Sequence, residues 1–187
     1  MIEFSKNTFF SSNECDKIIK FAMSNGEIFS YTDLESDSWD CRRIYNEEFK
    51  EMVIHRFIDL YSNNEIKFWF DFNTFDIRNI NVSMTRYYDG RFLELHRDST
   101  SNYTTVISLT DSYDDGRFVI SEQMFNGVHD NRAIKLTLGI GEGITFEGNK
   151  TYHGVMPVSN GLRCALNIWM NDTDFKYYRI DKERKLI

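Results

Sequence analysis

Residues 151–170, TYHGVMPVSNGLRCALNIWM, hold the only proline of the chain, a Ser-Asn-Gly turn, a histidine and an arginine. The stretch reads as two strands, TYHGVMPV and LRCALNIWM, meeting at Asn160-Gly161. Turn length decides which side chains share a face. A two-residue Asn160-Gly161 turn pairs Ser159 with Leu162 and His153 with Ile168, and Arg163 then faces away from His153. A three-residue turn, with Gly161 as its left-handed residue, pairs Val158 with Leu162 and sets His153 opposite Asn167. His153, Arg163, Ala165, Asn167 and Trp169 then share one face. If that face is interior, a guanidinium lies inside the protein beside a histidine. A buried guanidinium without an anion is costly. No acidic residue alternates onto that face of either strand, so the arginine calls for an anionic ligand.

Upstream, residues 86–100 read RYYDGRFLELHRDST. His96 and Asp98 are two apart, and on a strand they point to the same side while Arg97 points to the other. On a surface strand such a pair is merely solvated, and so short a pattern also arises by chance. A third ligand would change its meaning. Of the four histidines, His55 falls on a helix and reads as a surface or packing residue, and His129 lies in the loop-like NGVHDN. His153 remains. Two histidines and one carboxylate form the facial ligand set of non-haem Fe(II) oxygenases, which leaves metal positions open for a co-substrate and O2. An arginine deeper in suits the far end of a dicarboxylate, gripped by two parallel hydrogen bonds.

The rest of the chain supplies a barrel to hold such a site. From residue 67 onward short strands recur: KFWFDF, RNINVSMTRYY, RFLELHRD, YTTVISLT, GRFVIS, AIKLTLGI and GITFEG precede the two quoted above. Many short strands with turn residues between them predict a sandwich, barrel or jelly roll. The front is helical. SSNECDKIIKFAMSNG opens on a Ser11/Glu14 capping box and repeats apolar residues at Cys15, Ile18, Ile19, Ala22 and Met23. A second helix spans residues 46–61, with Phe49, Met52, Val53, Phe57 and Leu60 on one side.

At 187 residues, 41% apolar and 16% aromatic, this is one domain, 1–187, with a real core. It divides into a mainly helical front (1–66), a β core (67–175) and a short tail (176–187). The net charge of −7, with no dense basic run beyond DKERK, argues against tracking along nucleic-acid phosphates. Three cysteines, Cys15, Cys41 and Cys164, have no framework spacing and read as reduced thiols. The N-terminus lacks the basic and apolar regions of a secretory signal, and no apolar run is long enough for a membrane span, so a cytoplasmic protein with no membrane partner is expected.

These residues together resemble the Fe(II)/2-oxoglutarate-dependent dioxygenase family, on its prolyl 4-hydroxylase-like branch. The family's front helix pattern F-x-x-x-E-C-x-x-I-I is met by FFSSNECDKII. Y-x-x-G-x-F-x-x-x-H-x-D is met by YYDGRFLELHRD, and T-x-V-I-x-L-T/S-D by TTVISLTD. The most specific block is GEGITFEGNKTYHGVMPVSNGLRCALNIW, in which the single proline falls on the family's proline. One departure is visible: Asp115-Gly116 stands where the family usually has Gly-Gly.

The resemblance implies a double-stranded β-helix, that is, a cupin-like jelly-roll barrel buttressed by N-terminal helices. It makes His96, Asp98 and His153 the iron ligands and Arg163 the partner of the distal carboxylate of 2-oxoglutarate. Tyr87 would offer its hydroxyl to the co-substrate, with Tyr88 the alternative. Ser108 and Asn167 would be further co-substrate contacts, and Trp169 would pack the barrel. The implied cofactors are Fe(II), 2-oxoglutarate and O2, with ascorbate a candidate reductant. Related halogenases lack the aspartate, so Asp98 implies hydroxylation. The implied partner is a peptide or protein substrate, proline first, for a monomer or weak dimer. The alternatives are a free amino acid or other small molecule as substrate, or a non-catalytic cupin-type binding barrel. The branch that demethylates nucleic acid carries a second arginine where this chain has Trp169. The segments 30–45 and 122–133, polar and aromatic, are expected to be specificity loops.

Overall fold

The computed structural model describes residues 2–25, 27–29, 40–43, 47–72, 79–98 and 101–171. In chain order these form β1 (Phe4–Thr8), α1 (Ser12–Asn25), β2 (Glu27–Phe29), β3 (Asp40–Arg43), α2 (Glu47–Ser62), β4 (Ile80–Tyr87), β5 (Leu93–His96), β6 (Tyr103–Ser108), β7 (Asp114–Asp115), β8 (Phe118–Ser121), β9 (Ile134–Leu136), β10 (Glu142–Phe146), β11 (Tyr152–Val155), β12 (Val158–Ser159) and β13 (Arg163–Met170). A seven-stranded sheet runs β1-β10-β6-β13-β4-β3-β2, and a four-stranded sheet runs β5-β11-β8-β9. The short pair β12-β7 closes one end, and every pairing is antiparallel.

Period-two alternation along β13 separates two cores. Cys164, Leu166, Ile168 and Met170 join Val82, Met84 and Ile107 beneath the helices. Ala165 instead joins Val106, Ile144, Phe146, Phe118 and Val155 between the two sheets. A third cluster, Leu95, Val119, Val128, Ala133 and Met156, lies on the outer face of the small sheet.

The helices form where the caps and stripes require. The Ser11 backbone N–H and hydroxyl both donate to Glu14 Oε2 at 2.7 Å, and the Glu14 N–H donates to Ser11 Oγ at 3.4 Å. Those bonds hold the Glu14 carboxyl below the usual range. α1 buries Cys15, Ile18 and Ala22, while α2 buries Phe49, Val53, Phe57 and Leu60, with Phe57 stacked on Phe9. Met23 and Met52, expected on these stripes, are instead exposed, because the faces that meet the sheet are narrower than the sequence pattern. α2 ends where Asn64 takes a left-handed φ of 57°.

Three expectations change. KFWFDF is not a strand: residues 67–72 lie beside α2, and Phe68 stacks on Phe70 at 4.9 Å while Phe70 stacks on Tyr103 at 3.8 Å. Ring packing satisfies that alternation without a β ladder. Conversely β1, β2 and β3, in the front of the chain, were not foreseen; β1 and the β2-β3 pair form the two edges of the large sheet. Most important, the hairpin at Asn160-Gly161 does not exist. β11 pairs with β5 and β8, β12 with β7, and β13 with β4 and β6. Pro157 has no N–H to offer a ladder, and its flanks bond elsewhere: Met156 N–H to Arg117 O, Val158 N–H to Arg91 O. The chain leaves one sheet there and enters the other, so His153 and Arg163 approach from opposite walls.

Candidate active site

His153 sits on β11, with its neighbour His96 directly opposite on β5. A bulge aims the second ring. His96 faces His153 and Leu93 faces Val155, so Glu94 and Leu95 together oppose the single Gly154. Leu95 turns outward into the third cluster, and His96 returns to the interior. Gly154 makes the bulge possible, since a Cβ there would meet the Leu93 carbonyl oxygen at 2.5 Å and Val128 at 2.8 Å. The strand ends at His96, so Asp98 is not on it as the i, i+2 reading had it. Its N–H donates to Gly148 O at 3.0 Å, which bends the chain back toward the two rings.

The three side chains meet: one ligand atom from each of His96, Asp98 and His153 lies within 4.8 Å of the others. His96 Nε2 is 3.8 Å from Asp98 Oδ1, and His153 Nε2 is 3.5 Å from Asp98 Oδ2. His96 Nδ1 lies 3.0 Å from Glu94 O, and His153 Nδ1 lies 3.1 Å from Thr151 O. Each carbonyl accepts a hydrogen bond from Nδ1–H, which leaves the Nε2 lone pair free to bind a metal. His153, wedged against Phe146 (4.7 Å) and Phe118 (6.0 Å), is buried. Burial drives its pKa down to about 4, against the opposing pull of Asp98, so the ring is neutral at pH 7 and able to bind a metal.

Asp98 is held by two residues whose part the sequence did not disclose. Thr104 Oγ1 donates to Asp98 Oδ2 at 2.6 Å, and Trp169 Nε1 donates to the same oxygen at 3.1 Å. Thr104 and Trp169 are cross-strand partners on β6 and β13, facing inward. Trp169 is therefore more than barrel packing. The available signal was their odd-even alternation onto the face that carries Arg163, but nothing local ties either residue to Asp98.

Arg163 leads the fully buried side chains in volume and is 1% exposed. Its guanidinium lies 5.3 Å over the Tyr87 ring, and its Nη1 has no hydrogen-bond partner. No carboxylate among the described residues pairs with it; the nearby Asp114 and Asp115 are engaged by Asn160 and Arg117. The orphaned nitrogen borders a cavity of about 480 Å³ whose walls include Phe118, the ring that also touches His153. Tyr87 is buried beside Arg163, whereas Tyr88 points outward. Ser108 and Asn167 are both buried, and Ser108 donates to Thr110 O at 2.9 Å while Asn167 donates to Thr85 Oγ1 at 3.2 Å. The departure at Asp115-Gly116 leaves the loop intact, because Asp115 (φ 54°) and Gly116 (φ 57°) both take the left-handed conformation, which aspartate tolerates. Of the two expected specificity segments, 30–45 lies outside the described residues apart from 40–43, which form β3. The other, 122–133, uses Phe125, Val128 and Ala133 to cover the outer face of the small sheet.

Residues 82–171, which contain every side chain of this site, match the model of the 2OG-Fe(II) oxygenase superfamily. The chain thus carries, over 90 of its 187 residues, a region that matches a superfamily named for Fe(II) and 2-oxoglutarate. Among curated proteins none matches this sequence. Solved structures share the fold. A prolyl-4-hydroxylase from Pseudomonas putida is 12% identical over 93% of this chain and 95% of its own, with a TM-score of 0.65. HygX from Streptomyces hygroscopicus, with nickel and 2-oxoglutarate bound, is 10% identical over 93% and 84%, with a TM-score of 0.66. A prolyl hydroxylase from Trichoplax adhaerens, in complex with a peptide fragment of the hypoxia inducible factor oxygen degradation domain, is 14% identical over 98% and 86%, with a TM-score of 0.62. No described helix is long and apolar enough to cross a membrane.

Proposed function

We propose that this protein hydroxylates an unactivated C–H of a peptidyl side chain, proline first, using His96, Asp98 and His153 as iron ligands and Arg163 as the anchor of 2-oxoglutarate. The observation that carries the reading is the orphaned Nη1 of a buried arginine on the wall opposite a two-histidine, one-carboxylate cluster. The donor set suits Fe(II): two imidazoles and one carboxylate, with their outer atoms already engaged. The guanidinium suits a dicarboxylate, which would fill the unmet hydrogen bond and neutralise the charge. Both groups fit the residues present.

Iron bound at this cluster supplies O2 activation, with the oxidative decarboxylation of 2-oxoglutarate to succinate and CO2 providing the electrons for hydroxylation. The chain's own work is positioning. Arg163 grips the distal carboxylate and fixes how far the keto acid reaches toward the three ligands. Tyr87, whose ring lies under that guanidinium, is a second co-substrate donor through its hydroxyl, and Ser108 and Asn167 line the same inner face. Thr104 and Trp169 keep Asp98 from rotating. Phe118, Phe146 and Ile144 keep bulk water from His153.

The peptidyl assignment is supported by the kinds of protein that share the fold, a prolyl-4-hydroxylase and a prolyl hydroxylase holding a peptide among them. The test measures succinate release and a product 16 Da heavier, comparing proline-containing peptides with free amino acids. Peptides should turn over and free proline poorly, because flanking backbone contacts position the reacting carbon. Efficient turnover of a free amino acid with peptides inert overturns the peptidyl half and leaves the metal and co-substrate assignments standing.

A further inference from the structure

The cavity beside Arg163 has a second polar wall with no assigned role. Tyr113, on the loop between β6 and β7, lines the same cavity as the orphaned guanidinium. Its ring is seated over Gly116, where a Cβ would come within 3.0 Å of it and 2.9 Å of Val158. Its hydroxyl reaches inward to Ser108 Oγ at 3.3 Å. Ser108 has one proton, and that proton is already given to Thr110 O at 2.9 Å. Tyr113 is therefore the donor in the longer contact, and a neutral hydroxyl is a weak acceptor. A carboxylate would accept that proton in a shorter, charge-assisted bond.

Resting on the co-substrate reading above, we infer that Tyr113 is a co-substrate-binding residue, turning its O–H from Ser108 to the distal carboxylate of 2-oxoglutarate that Arg163 holds. The pair then divides the labour. Arg163 supplies charge from the strand, and Tyr113 supplies a directional donor from a loop that Gly116 lets close over the cavity. Ser108 is the resting partner of that hydroxyl, which assigns this inward serine an indirect part. Of the acidic residues lining the cavity, Asp111, Asp114 and Asp115, none meets the orphaned Nη1, and Asp114 and Asp115 bond to Asn160 and Arg117.

The experiment uses the full chain loaded with Mn(II), which permits binding without turnover, titrated by calorimetry with 2-oxoglutarate and, separately, with pyruvate. Pyruvate keeps the keto-carboxylate end and lacks the distal carboxylate. Tyr113→Phe should weaken 2-oxoglutarate about tenfold and leave pyruvate unchanged, with an unaltered melting temperature for the ligand-free protein. A 2-oxoglutarate Kd within twofold of wild type overturns the inference, as does an equal loss for both acids. Arg163→Gln separates the two levels. If it abolishes 2-oxoglutarate binding while Tyr113→Phe is silent, the co-substrate reading survives and Tyr113 is excluded. Wild-type protein that ignores 2-oxoglutarate in the presence of Mn(II) overturns both.

Discussion

The two ends of the barrel interior are built on opposite plans. At the His96, Asp98 and His153 end, the outer atom of each side chain is already bonded: two Nδ1 atoms to backbone carbonyls, and Asp98 Oδ2 to Thr104 and Trp169. At the Arg163 end, a buried cation stands on an aromatic ring with one nitrogen unsatisfied and, among the described residues, no carboxylate to meet it. The first end is rigid before any ligand arrives. The second accepts a standing cost, of order 1–3 kcal/mol for the unmet donor, that an anionic ligand would remove. A metal site gains from fixed geometry, whereas a co-substrate site gains from being incomplete without its co-substrate.

The comparison breaks most completely at the ligands. His96→Ala or Asp98→Ala should leave purified protein without iron and without turnover, while circular dichroism stays near wild type. Wild-type iron content in either variant would show that the preformed end is not a metal site.

Next in size is Arg163→Met. Loss of charge-assisted pairing should raise the Kd for 2-oxoglutarate roughly a hundredfold, about 2–3 kcal/mol. The same change removes an unpaired buried cation, so the ligand-free protein should melt no lower than wild type. A large drop in melting temperature would mean that Arg163 is satisfied in the resting fold. Arg163→Lys should recover only part of the affinity, since a point charge cannot reproduce the guanidinium fork.

Trp169→Phe and Thr104→Val sharpen the contrast by touching one end alone. Each removes one of the two hydrogen bonds to Asp98 Oδ2 and should weaken metal binding about ten- to a hundredfold, as loss of such supporting bonds does. At saturating metal, 2-oxoglutarate affinity should hold. A fall in co-substrate affinity as large as in metal affinity would mean that the two ends are not separable.

The last effect is on pH. His153 titrates near 4 in the fold, below the ordinary value of 6.5, because burial disfavours its charged form. The unfolded chain therefore binds a proton between these values that the folded chain does not. In chelator-treated protein the stability this imposes is intact above about pH 6.5 and declines as pH falls toward 4. Denaturant midpoints across that range should fall, and His153→Phe should flatten the curve. A wild-type curve already flat there would contradict the burial of a neutral ring.

Much of this was legible in local pattern. The Ser11/Glu14 capping box forms, most strands from residue 80 onward lie where alternation put them, and the inward set Arg163, Ala165, Asn167 and Trp169 follows from period two alone. The failures share a cause. KFWFDF alternates as a strand does, yet stacking against Phe57 and Tyr103 used that alternation for a different surface. Met52 fits a helical stripe, but only contact with the sheet decides how wide the stripe is. Segment 122–133, expected as a specificity loop because it is polar and aromatic, also buries Phe125, Val128 and Ala133 against the outer face of a sheet that the sequence does not draw.

By itself, then, the sequence determined which residues are candidates for the chemistry: side-chain type and spacing singled out His96, Asp98, His153 and Arg163, since few other residues offer those donors or that charge. Tertiary structure alone decided how they meet. His153 and Arg163 are ten positions apart, and local turn rules could only lay them side by side in a hairpin. The fold instead sends the chain from one sheet to the other around Pro157, bends β5 with a bulge against Gly154, and brings Thr104 and Trp169 to Asp98. Strand partners are chosen by which faces can be buried together, and that choice is made between segments far apart in the chain.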